Sequence, residues 1–133
     1  IGAIARTAYS LGVQGMIAAN VKTINNSGTI RTSAGALLDL PFGIHPRSID
    51  LASELIDAGF TLIGATMDGV DLKKYGKIEA SDKVALFLGN EGEGISPKVA
   101  KKLDLKVSIK MEHEFDSLNV SSAAAILIYT LKR

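Results

Sequence analysis

The sequence contains no cysteine and no tryptophan, has only 3 prolines, and is 5% aromatic. Without thiols the chain can build neither a disulfide framework nor a thiolate zinc site, and a cysteine nucleophile is excluded. Long apolar runs are missing as well. The most apolar stretch, Ala123 to Tyr129, is far shorter than the roughly 20 residues a spanning helix needs. Charge of one sign is also absent: 15 basic and 14 acidic residues leave a formal +1. That balance gives no broad electrostatic footprint for nucleic acid, so such a partner must be argued from a local site. The chain opens on Ile1 with neither a methionine nor a charged leader. The expectation is of a cytoplasmic protein without a signal peptide, its start cut into a longer polypeptide.

What is present is a globular α/β balance: 133 residues, 47% apolar, 22% charged, with 13 glycines, the size of one domain. Ile4, Ala8 and Leu11 share a helical face that Gly12 can end, and Gly15 to Ala19 reads as a short buried strand. Asn25 to Gly28 is a polar turn, and Thr32 to Leu40 can form a short helix stopped by Pro41. Arg47 to Ala58 is amphipathic with Gly59 as its C-cap, and Phe60 to Thr66 follows as a strand. Asp68 to Asp82 reads as a polar surface excursion before the continuous apolar run Val84 to Leu88. Pro97 can open a short helix, Leu105 to Ile109 is a further strand, and a last helix runs from about Asn119 to Leu131. This alternation predicts an α/β fold, a mostly parallel sheet with helices on both faces. Ligand chemistry then belongs at the carboxyl ends of the late strands.

Two clusters follow those strands. Gly89-Asn90-Glu91-Gly92-Glu93-Gly94 has neither the Lys-Ser/Thr of a Walker loop nor the spacing of a dinucleotide fingerprint, which leaves an NAD-type oxidoreductase only as a fallback that NADH titration would settle. Glu91 and Glu93 would repel a phosphate, so the turn either holds a cationic or hydroxyl-bearing ligand or simply structures itself. Asp116-Ser117-Leu118-Asn119 can cap the final helix and, with the first cluster, can line one crevice. Arg6 is a lone cation on a small, apolar helical turn, readable as a snorkelling surface arginine. His45 and His113 lack ligand spacing, so no metal is assigned, and the pairs Lys73-Lys74 and Lys101-Lys102 read as solvated faces.

Taken in order, these clusters resemble the SPOUT superfamily, specifically its SpoU/TrmH-type RNA ribose 2'-O-methyltransferases, over essentially the whole chain. Ile1-Gly-Ala-Ile-Ala-Arg6-Thr-Ala is similar to the tail of that family's first motif, Leu88-Gly-Asn-Glu91-Gly-Glu-Gly94-Ile-Ser96 to its second, and Ser117-Leu-Asn119-Val to its third. Arg31-Thr-Ser33-Ala-Gly35-Ala36 resembles a segment carried between the first two. The resemblance implies a deep C-terminal trefoil knot, which periodicity does not suggest, a homodimer, and S-adenosyl-L-methionine as cofactor for transfer to a ribose 2'-hydroxyl of tRNA or rRNA. It implies a catalytic set of Arg6, Glu91, Ser117 and Asn119, and cofactor contacts at Leu88, Gly89, Glu91, Gly92, Ile109, Met111 and Leu118, without a metal. It also makes residues 1–133 one methyltransferase domain lacking its first strand and the start of the first motif. Arginine is a poor proton acceptor, which leaves Arg6 two roles: an electrostatic clamp on an RNA phosphate, the preferred one, or a desolvated base. Lys110 stands where proline is common, and Glu112, His113 and Glu114 make the following loop unusually charged. The alternative reading is a catalytically silent knotted module that binds RNA or a partner.

Overall fold

The computed structural model describes residues 2–21, 40–74, 83–89, 94–110 and 120–131. In chain order the elements are α1 (Gly2–Ser10), β1 (Met16–Ala19), β2 (Phe42–His45), α2 (Ser48–Asp57), β3 (Thr61–Asp71), a 3-10 turn (Leu72–Lys74), β4 (Val84–Phe87), α3 (Pro97–Ala100), β5 (Leu105–Ser108) and α4 (Val120–Leu131). Every pairing among the described strands is parallel, as the alternation of helix and strand predicts. The proposed helix Thr32 to Leu40 lies, apart from Leu40, outside the described residues. The chain forms two compact units, Ile1–Ser48 with Ser121–Arg133, and Ile49–Val120.

In the first unit the small residues of α1 face inward, with Ala5 and Ala8 buried, and α4 buries Ala124, Leu127 and Ile128. β1 and β2 make a two-stranded sheet, Met16 opposite Phe42 through Ala19 opposite His45. β2 is absent from the sequence reading because Phe-Gly-Ile-His is too short, and too diluted by glycine, to give a strand pattern. Asn20 leaves β1 at φ 63°, a left-handed conformation that asparagine tolerates. Its Oδ1 accepts a hydrogen bond from the Ser48 N–H at 2.9 Å, satisfying one of the four amide donors that the start of α2 leaves without an intrahelical acceptor.

In the second unit β3 lies between β4 and β5, and Leu62, Ile63, Val99 and Val107 are almost fully buried. Burial of each such side chain stabilises the fold by about 1.5–3 kcal/mol. Leu62 and Asp104 lock together: the Leu62 N–H donates to Asp104 Oδ2 and the Asp104 N–H to the Leu62 carbonyl, both at 2.8 Å. Lys83 ties α2 to the start of β4, its ammonium donating to the Ala58 carbonyl at 3.0 Å and lying 5.7 Å from the Phe60 ring centre.

The polar excursion expected from Asp68 to Asp82 is interrupted by a return of the strand, and its residues 75–82 lie outside the described residues. β3 continues to Asp71, because Ala65 and then Val70 both pair with Val107 and the four residues between them loop out. Gly69 closes that loop against the edge of β5. A Cβ there would stand 2.6–2.8 Å from the carbonyl carbon, oxygen and nitrogen of Val107, atoms that cannot yield, so only glycine fits. The buried Ser108 hydroxyl donates to the Gly69 carbonyl at 2.8 Å. Gly69→Ala is expected to lower stability by about 1–3 kcal/mol in a urea melt. Gly43→Ala, whose Cβ would meet nothing within 4 Å, serves as the control. Equal midpoints for the two variants would refute the close-approach argument.

Candidate functional site

Because β4, β3 and β5 are parallel, their carboxyl ends share one edge of the second unit's sheet. Leu88 and Gly89 leave β4 there, Ile109 leaves β5, and β3 runs between them. Three of the sequence-selected residues are thus brought to the place where open α/β sheets hold ligands. Sequence order gave their types; the common edge follows from the sheet order alone.

Gly89 is in contact with the end of its own loop. A Cβ at this position would overlap the backbone of Gly94 and Ile95, and Gly94 itself takes φ 68°. The chain therefore returns from residue 94 to lie directly on Gly89. Ile95 then anchors the return by packing over Gly64 of β3, its Cδ1 3.1 Å from where a Cβ would stand. Ser96 starts α3, accepting from the Val99 N–H at 3.3 Å, with Pro97 in the first turn. Leu88 and Gly89 are half-buried, and the contact of Gly89 with Gly94 and Ile95 fixes the course of the chain there.

Beside this edge the looped-out residues of β3 carry polar groups that the sequence reading did not select. The Thr66 hydroxyl oxygen is buried and falls short of full hydrogen-bond geometry with any partner. It nonetheless lies beside the exposed Asp68 carboxyl and, with the Asp68 N–H, holds it below the usual aspartate range; desolvation opposes this, and the ammonium charges of Lys106 and Lys110 add smaller favourable contributions. Asp68 is therefore ionised at neutral pH. No period or motif marks it in the sequence, since its place depends on the strand leaving and rejoining β5.

Arg6 lies on α1 in the first unit, an exposed side chain between the buried Ala5 and Ala8. Glu91, Gly92, Met111, Ser117, Leu118 and Asn119 lie outside the described residues. Among the described residues no group of three or more His, Cys, Asp or Glu could hold a metal ion, and no helix is long and apolar enough to cross a membrane.

Residues 1–129 match the family model described as the SpoU rRNA methylase family. The chain is 33% identical, over its whole length and 58% of the other's, to an uncharacterised tRNA/rRNA methyltransferase of Archaeoglobus fulgidus. An rRNA methyltransferase from Sinorhizobium meliloti, solved with AdoMet bound, superposes with a TM-score of 0.84 at 26% identity, covering 97% of this chain and 49% of that one. An RNA 2'-O ribose methyltransferase superposes with a TM-score of 0.82 at 26% identity, again covering 97% and 49%. The chain spans a little over half the length of the curated relatives it matches. With the family model reaching from the first residue into the final helix, and with the Gly89 loop at the carboxyl edge of a parallel sheet, this chain belongs to the SpoU rRNA methylase family.

Proposed function

We propose that this chain is an S-adenosyl-L-methionine-dependent methyltransferase domain acting on a ribose 2'-hydroxyl of tRNA or rRNA. The observation that carries the reading is the loop closed at Gly89, which fixes the Leu88–Gly89 backbone across β3 from Ile109. A half-buried backbone edge of this kind suits an adenosine-bearing ligand that is gripped by main-chain donors and acceptors rather than by charge. Family membership and the relative solved with AdoMet support the cofactor. The relative described as a 2'-O ribose enzyme supports the acceptor.

Leu88, Gly89, Glu91, Gly92, Ile109, Met111 and Leu118 would hold S-adenosylmethionine, whose sulfonium supplies an electrophilic methyl group when bound. The chain's work is then alignment. Ser117 and Asn119 orient the ribose hydroxyl for in-line attack, Glu91 fixes the turn, and Arg6 clamps the adjoining phosphate so that negative charge developing on oxygen is met by a cation. The proton leaves the hydroxyl for that phosphate or for water. A metal is not required. We assign residues 1–133 to one such domain, with the deep C-terminal trefoil knot of the superfamily and a homodimeric state. Support for the dimer lies in the first unit, where Leu11, Ala125, Ile126, Tyr129 and Thr130 line an open groove and Tyr129 is 72% exposed. Patches of this kind mark association surfaces.

Calorimetric titration of S-adenosylmethionine into the protein, with NADH as the control, tests the reading: the first should bind with micromolar affinity and the second not at all. Gly89→Ala should abolish cofactor binding while leaving the circular dichroism spectrum intact; retained affinity would refute the loop's role. Arg6→Ala, on an exposed helical face, should keep the fold and the cofactor but lose about a hundredfold or more in transfer of labelled methyl to unmodified bulk tRNA or rRNA. Unchanged turnover would remove Arg6 from the catalytic set. Cofactor binding with no transfer to any RNA would favour the silent module.

A further inference from the structure

The chain is nearly neutral as a whole, yet its positive charge is not spread evenly. From Ser96 to Lys110 it carries five lysines, Lys98, Lys101, Lys102, Lys106 and Lys110, and a single acidic residue, Asp104. That one carboxylate accepts the Leu62 N–H at the amino end of β3, away from the edge where Lys110 emerges. Lys106 is on β5, one of the two outer strands of the three described, and Lys110 follows directly after Ile109. Side chains along a strand alternate between faces, which puts Lys106 and Ser108 on one face of β5, and Lys110 follows two residues after the strand ends at its carboxyl edge. The Ser108 hydroxyl pins the Thr66–Gly69 loop through the Gly69 carbonyl, and the Asp68 carboxylate in that loop feels both ammonium groups. Two cations are therefore gathered beside the cofactor edge of the second unit, with one anion set against them.

We propose that Lys106 and Lys110 form a phosphate-contacting surface for the RNA substrate, and that Asp68 tempers its strength. This rests on the reading of the domain as an RNA methyltransferase and assigns part of its RNA contact to named residues. Lysine suits the task as a flexible point charge that binds phosphate without reading sequence. Such contacts position the RNA beside the cofactor loops, and their strength falls with salt because each one releases a counterion. Asp68 repels the same phosphates and partly neutralises the two lysines, so it keeps the contact weak enough for the product to leave.

The test measures binding of fluorescently labelled bulk tRNA, and of a ribosomal RNA fragment, by anisotropy across a potassium chloride series. Cofactor affinity is followed by calorimetry in the same variants. The double variant Lys106→Ala/Lys110→Ala should lose about tenfold or more in affinity at low salt, with the slope of log K against log salt reduced by about two. Asp68→Asn should bind severalfold more tightly. The exposed pair Lys73→Ala/Lys74→Ala, on the 3-10 turn, should behave as the unmodified protein. Unchanged affinity and slope in the double variant would overturn the proposal, as would an equal loss in the Lys73/Lys74 control. So would charge-dependent binding to phosphatidylserine vesicles without RNA binding. If cofactor binding persists in those cases, the methyltransferase reading stands; if the unmodified protein binds no cofactor, that reading itself has failed.

Discussion

The contact of Gly69 with the Val107 backbone is the constraint on which the second unit depends. β3 is bonded on both sides, and a central strand cannot shed four residues unless its edge is closed again at once. The absence of a side chain at residue 69 allows that closure, and the Ser108 hydroxyl satisfies the carbonyl that the closure would otherwise leave without a donor. From this follow the looping-out of Thr66 to Asp68, the second pairing of β3 with β5 at Val70 and Asp71, and the place of Asp68 where the charges of two lysines act on it. Local sequence sets none of these. They follow from two backbones meeting at van der Waals distance.

The legible parts of the fold are those with local causes. Ala8 and Leu11 ahead of Gly12 give α1, the apolar spacing of Ile49, Ala52, Leu55 and Ile56 before Gly59 gives α2, and Pro97 gives the start of α3. β4 is visible as an unbroken apolar run, the signature of a strand covered on both faces. β2 and the far half of β3 are not visible, since each is held by a partner distant in sequence and contains a glycine or an aspartate that breaks the pattern. At the candidate site, Leu88, Gly89 and Ile109 could be chosen from motif order and strand ends. Asp68 could not, because its position depends on an irregularity in pairing.

The second unit uses main-chain and side-chain chemistry in different places. Where the strands end, its resources are backbone groups held by glycine and by Ile95 packing on Gly64; on β5 and just after it, they are the ammonium groups of Lys106 and Lys110. The first arrangement favours a ligand of defined shape, and the second favours a polyanion whose sequence matters little. An overall charge of +1 is compatible with the second, because within a Debye length of about 8–10 Å a phosphate responds to its neighbours rather than to the chain's total.

Parallel pairing throughout has a cost during biosynthesis. No described strand can zip onto its neighbour through a tight hairpin: Met16 must find Phe42, Thr61 must find Val84, and Ile63 must wait for Leu105. Each pairing closes a long loop before any bond rewards it, so the chain has high contact order and is expected to fold slowly. β3 becomes fully paired only after β5 has been made, and until then one apolar edge of the central strand is open. A nascent chain paused before residue 105 would expose that edge, which makes this interval the one in which chaperone capture or misassociation is most favoured.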